Sequence, residues 1–165
     1  MTTALSILLV QGILGACDTL WYHELMQRLP ARPTGRLELR LHAARDFAYA
    51  VLFGSLAWVT WNGAWAWLVA LLLVVEIAIT LWDFVEEDMR RPLPPGESVM
   101  HTIMAIVYGA FLANFLPQLF LWSQRPTGFA SAYYGWLSWL MSLMAHGVFG
   151  SSVRDLAASV GRRDK

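Results

Sequence analysis

Apolar residues run along this chain in five blocks, each closed by a short polar or turn-forming break. The blocks lie near residues 4 to 27, 40 to 61, 65 to 88, 99 to 122 and 131 to 151. Each reaches the length of about 20 residues that a helix needs to cross a hydrocarbon layer about 30 Å thick. The breaks are "RLPARPTGR", "WNGAW", "RRPLPPGE" and "SQRPTGFAS", and all but the second carry the proline and glycine that end helices. Short connections predict antiparallel neighbours. The expected fold is therefore all-α: an integral membrane bundle of about five transmembrane helices forming a single domain over residues 1–165. Pro117 falls inside the fourth block, where neighbouring helices in a membrane satisfy the carbonyl it frees.

Composition strengthens this pattern. Hydrophobic residues make up 57% of the 165 and charged residues only 15%, against about a quarter charged in ordinary soluble domains. The first block lacks the positive leader of a cleaved signal, so it is expected to stay as the first membrane helix. A formal net charge of zero excludes the basic face that nucleic acid requires. The single cysteine, Cys17, cannot form an internal disulfide and is expected to be a small buried residue.

Charge placement predicts orientation. Eleven of the twelve Lys and Arg residues fall on one side of a five-span arrangement, among them Arg28, Arg32, Arg91, Arg162, Arg163 and Lys165, leaving Arg125 opposite. The positive-inside rule then puts the C-terminus in the cytoplasm and the N-terminus outside, in a membrane of the bacterial inner type. Trp61, Trp65, Trp67 and Trp122 are expected to sit at the outer headgroup boundary.

In that topology all the acids and histidines gather toward the cytoplasmic end. Glu76 lies ten residues before Glu86, and Asp18 ten before Arg28, which at the helical rise is a depth of roughly 15 Å. Residues three, four, seven or eleven apart share a helix face. Glu76, Thr80, Asp83 and Glu87 form such a stripe on the third span; His42, Asp46 and Tyr49 form one on the second; Glu97, His101, Met104 and Tyr108 form one on the fourth; Gln11, Asp18 and Tyr22 form one on the first. On an ideal helix His23 points about 140° away from Asp18, and Arg45 about 60° to 100° off the His42/Asp46 stripe. His146 enters from the fifth span. Glu24 and Glu38 are expected at the interface, and Glu86 and Asp88 at a solvated helix end.

A carboxylate at the bilayer centre costs about 2.5 to 3.5 kcal/mol on insertion scales, and clustered carboxylates repel one another. With no arginine expected on these stripes, a bound metal is the source of neutralising charge. Carboxylate with imidazole suits iron, manganese or zinc. The candidate ligands are Asp18, His23, His42, Asp46, Glu76, Asp83, Glu87 and His101, with Tyr49 and Tyr108 as candidate catalytic tyrosines. Two ions, iron first, fit this number of donors. In coordination logic the layout resembles the di-iron carboxylate four-helix bundles of the ferritin-like type, although the pairs here are "HAARD" and "ESVMH" and lie in membrane spans.

The leading functional expectation is a metal-dependent membrane oxidoreductase acting on a lipid-soluble substrate, with electrons from a cytoplasmic donor. Three alternatives stay open: a zinc hydrolase of a lipid amide or ester, which needs only about three ligands; a b-type haem electron carrier using two histidines; and a proton- or cation-coupled transporter.

Overall fold

The computed structural model describes residues 1–26, 36–90 and 93–160. Helix α1 (Thr2–Asp18) continues without a break into a π-helical segment, Thr19–Met26. Then follow α2 (Arg36–Leu56), strand β1 (Val59–Asn62), α3 (Ala64–Arg90), α4 (Pro95–Ser123), β2 (Gly128–Ser131) and α5 (Trp136–Val160). The five helices match the five apolar blocks. Pro95, with its fixed φ, opens α4 at a position where the missing N–H costs nothing, and α4 runs on through Pro117. Arg28, Arg32, Arg91, Arg162, Arg163 and Lys165, on which much of the orientation argument rests, lie outside the described residues.

Polarity in this molecule is inverted. Val10, Ile13, Leu20 and Trp21 on the first helix, Leu71, Val74, Leu81 and Trp82 on α3, and Ile106 and Phe120 on α4 are exposed, while Asp18, His23, Glu38, His42, Glu76, Asp83, Glu87 and Glu97 are buried. Apolar surface on this scale is stable only against a non-aqueous surrounding or a partner. Three helices, Thr2–Met26, Ala64–Met89 and Pro95–Ser123, are long and apolar enough to cross a membrane. Helices α2 and α5 do not join them. The reason is local: α2 opens with Arg36, Glu38, Arg40, Arg45 and Asp46, and α5 closes on "SSVRDLAAS".

Helix α2 packs most extensively on α5, and α1 on α4. The α2–α5 seam uses small residues and serine hydroxyls, as helix contacts in lipid do. Ser138 Oγ donates to the Ala57 carbonyl at 2.8 Å, and Ser152 Oγ to the Ala43 carbonyl at 2.7 Å. Apolar packing fills the end of the bundle away from the acids, with Leu5, Leu8, Leu52, Phe53, Leu56, Phe111, Phe115 and Met141 fully enclosed.

The strands are a feature that the apolar pattern does not reveal. β1 and β2 pair antiparallel, Val59 opposite Ser131 and Asn62 opposite Gly128, tying the α2–α3 link to the α4–α5 link. Gly63 turns this corner with φ +61°, and a Cβ there would lie 2.4 to 2.6 Å from Thr127. Three expectations are corrected at this level. Trp122 is buried, edge-on to Phe115 at 5.8 Å, so it belongs to the core and not to a headgroup belt. Cys17 is exposed on the apolar outer face. Glu86 is buried, whereas Asp88 is exposed as expected.

Candidate metal centre

Each helix brings its polar groups to one end of the bundle by the heptad-like spacing that its sequence encodes. On α3 the inward line runs Ala66, Val69, Leu73, Glu76, Asp83 and Glu87, all buried. On α4 it runs Glu97, His101, Met104, Phe111 and Phe115. Apolar members of each line build the core, and the acidic and imidazole members continue it into a charged cluster.

The first helix reaches this cluster by changing its pitch. Asp18 ends the α-helical part, and the next eight residues are π-helical. The i to i+5 hydrogen bonding of a π turn brings residue 23 back onto the face of residue 18. His23 Nε2 is accordingly 3.2 Å from Asp18 Oδ2. The 140° separation expected on a regular helix does not apply, and His23 stands at the centre of the cluster. Its ring meets that of His42 edge-on, centroids 4.5 Å apart.

Three overlapping groups of side chains have donor atoms within 4.8 Å of one another: His23, Glu38, His42 and Glu87; Asp18, His23 and His101; Glu87, Glu97 and His101. All of these residues are buried. Glu87 connects the groups through its two oxygens. Oε1 lies 3.6 Å from His23 Nε2 and 3.5 Å from His42 Nε2, while Oε2 lies 3.9 Å from His101 Nδ1. His101 Nε2 also approaches Asp18 Oδ2 at 3.5 Å, and its ring is stacked on Phe84 with centroids 4.5 Å apart. Asp18 Oδ1 and His23 Nδ1 are buried with no hydrogen bond among the described residues. The donor set of imidazole and carboxylate from four helices could hold a metal ion, and it has the composition that first-row divalent metals take.

Of the candidates read from sequence, the structure brings Asp18, His23, His42, Glu87 and His101 into these groups. Asp83, Asp46 and Glu76 stand outside them. Asp83 Oδ2 accepts a hydrogen bond from Arg45 Nη1 at 2.8 Å and is 3.0 Å from His42 Nε2. The expectation that no arginine serves the cluster is thus corrected: Arg45 does, on the stripe Glu38, His42, Arg45 and Tyr49. Asp46 is only half-buried and faces Ser151 of α5. Glu76 accepts from Thr80 at 2.8 Å, about three helical turns from Glu87. His146 is exposed and bonded to its own helix at the Ser142 carbonyl. Glu38, expected at the interface, is a buried member of the first group. Its signal was present in "ELRLH" as an acid four residues before a histidine, in competition with the equally spaced "HAARD". Glu97 is fully buried in the third group.

Beside the cluster lies a cavity of about 690 Å3 reached by side chains from all five helices. Tyr49 and Tyr108 line it with ring centroids 6.0 Å apart, and both lie within electrostatic reach of Glu76. No family model, curated protein or solved structure matches this chain.

Proposed function

We propose that this chain is a membrane-embedded oxidoreductase holding two metal ions, iron first, at the cytoplasmic end of a five-span bundle, with the N-terminus outside and the C-terminus in the cytoplasm. The observation that carries the reading is Glu87, a buried carboxylate with one oxygen near His23 and His42 and the other near His101. Under this reading one ion would be held by His23, Glu38, His42 and Glu87. The other would be held by Glu97, His101 and the second oxygen of Glu87. Carboxylates bridge paired ions in such centres, and the helix-by-helix origin of the donors supports a preorganised site.

Bound ions would supply an open position for O2 or a peroxide. The chain's own residues hold the ligands and shape the surroundings. Phe84 fixes the plane of the His101 ring, and the π segment aims His23. Arg45 balances Asp83 next to His42, so that this carboxylate is neutralised without a metal. The neighbouring cavity supports an apolar substrate drawn from the bilayer. Electrons would come from a donor docking on the cytoplasmic side.

A second reading, a metal-free ion-paired network in a proton- or cation-coupled transporter, is favoured by one observation, the Arg45–Asp83–His42 contact. Metal analysis of the detergent-purified protein with an absorption spectrum separates the readings. Two irons per chain without a haem Soret band support the oxidoreductase. One zinc supports the hydrolase, a Soret band the haem carrier, and absence of metal the transporter; each of these three outcomes overturns the two-iron reading.

A further inference from the structure

The cavity is apolar over most of its wall, yet it carries one polar patch that the metal groups do not use. Gln11 from α1, Tyr49 from α2, Glu76 from α3 and Tyr108 from α4 all line it. Gln11 Oε1, Glu76 Oε2 and Tyr108 Oη are buried and make no hydrogen bond among the described residues. Gln11 and Glu76 are 8% and 1% exposed. A buried polar atom without a partner costs about 1 to 3 kcal/mol. Two of these three, Gln11 Oε1 and Glu76 Oε2, are acceptors, so the cavity points to a ligand that brings O–H donors.

The patch constrains the chemistry of that ligand. Its formal charge comes from Glu76, and Asp18 and Asp46 also line the space. The two arginines on the wall are already engaged, Arg45 by Asp83 and Arg154 by Glu24 and Asp155. An anionic head group, such as a fatty acid or a phospholipid phosphate, would meet net negative charge in a low-dielectric setting. A neutral head with oxygen atoms fits, because the tyrosine hydroxyls and the Gln11 amide both donate and accept, while Glu76 accepts from a hydroxyl. Tyr49, Phe53, Phe84 and Tyr108 put aromatic rings along the wall. A flat ring packs well against such rings.

The space is also open to lipid. On the α1–α5 seam Ala16, Leu20, Leu143, Gly147 and Gly150 line the cavity and are themselves exposed. A Cβ built at Gly109, Gly147 or Gly150 meets nothing within 4 Å, so these glycines leave room and do not merely permit tight packing. The volume lies within the range of about 300 to 1,000 Å3 usual for small-molecule sites. It accommodates a substituted ring and the start of a tail, with the remainder of the tail lying in the seam.

We propose that this cavity binds a quinol, a neutral ring with opposed hydroxyls on an apolar tail, which donate to Glu76 and Gln11 while Tyr49 and Tyr108 line the same space. The assignment rests on the membrane reading given above and names the substrate class of the same site.

The test is anaerobic calorimetric titration of the detergent-purified full chain with decylubiquinol. Saturable binding at one site per chain is expected. Gln11→Leu and Tyr108→Phe should each weaken it about tenfold, the loss of one well-placed hydrogen bond in a dry site. Gly147→Phe and Gly109→Phe, which extend into open space, should abolish it while leaving the thermal midpoint within a few degrees. Palmitate should not displace the quinol. Failure of the wild-type protein to bind, equal binding by all four variants, or displacement by palmitate overturns the proposal. Glu87→Gln separates the two readings: quinol bound by a metal-depleted Glu87→Gln protein supports the pocket by itself. Protein that carries its metals and ignores quinol removes the quinol assignment and leaves the metal centre standing.

Discussion

Glu87 and Arg45 act on the same cluster in opposite ways. Glu87 presents one oxygen to His23 and His42 and the other to His101, so its loss removes a donor from both proposed ions at once. Glu87→Gln should lower metal content from two ions per chain to fewer than one, read by elemental analysis. Asp46→Asn should leave it unchanged, because Asp46 belongs to none of the three donor groups. A Glu87→Gln protein with full metal content would remove the bridging assignment. Arg45 instead compensates Asp83, a carboxylate with no exposed surface. Removing one partner of a buried ion pair costs about 3 to 5 kcal/mol, whereas replacing both with apolar residues is close to neutral. Arg45→Met should therefore sharply lower the thermal midpoint in detergent, and the double variant Arg45→Met/Asp83→Leu should recover most of the loss. Equal loss in the single and double variants would show that Asp83 has a role beyond this pair.

Among the elements, the π segment Thr19–Met26 has the clearest consequence. In a regular α-helix residue 22 shares the face of Asp18; in a π turn residue 23 does. Exchanging the two residues, Tyr22→His with His23→Tyr, distinguishes the registers. The exchanged protein should lose at least half of its metal, as should His23→Ala, and retention would mean that the helix is α-helical there. Periodicity explains what was legible in the sequence. The α3 line through Glu76, Asp83 and Glu87 and the α4 line through Glu97 and His101 follow the 3.6-residue rule, and both are buried as expected. His23 escaped that rule because no residue type in "TLWYHELM" announces a π turn. On α2 the rule fits two stripes, one through Glu38, His42 and Arg45 and one through His42 and Asp46. Only packing chooses between them, and α5 takes Asp46. The β1–β2 pair was hidden for a similar reason: four-residue strands beside long apolar blocks carry no period of their own.

The whole molecule reads as an inside-out bundle, with apolar residues outward over α1, α3 and α4 and charge gathered within. Under the proposed topology the β1–β2 ribbon faces outside and the end of α5 faces the cytoplasm. Cys17 is the one cysteine, so a Cys17→Ala background permits single reporters. In intact cells a membrane-impermeant maleimide should label Thr127→Cys, in the linker before β2, whereas Val160→Cys, at the exposed end of α5, should require permeabilisation. The reverse pattern would invert the topology and put the proposed metal centre at the outer leaflet. Arginine compensates part of the buried charge, Arg45 serving Asp83, and the imidazole-rich part around Glu87 is the part that could hold ions.

An anomalous difference map at the iron edge, from crystals of the full chain grown in lipid, tests the central claim most directly. Two peaks about 3.5 to 4 Å apart are predicted, both next to Glu87, the first among His23, Glu38 and His42 and the second between Glu97 and His101. A map without peaks at any first-row metal edge, over a cluster closed by its own ion pairs, would contradict it.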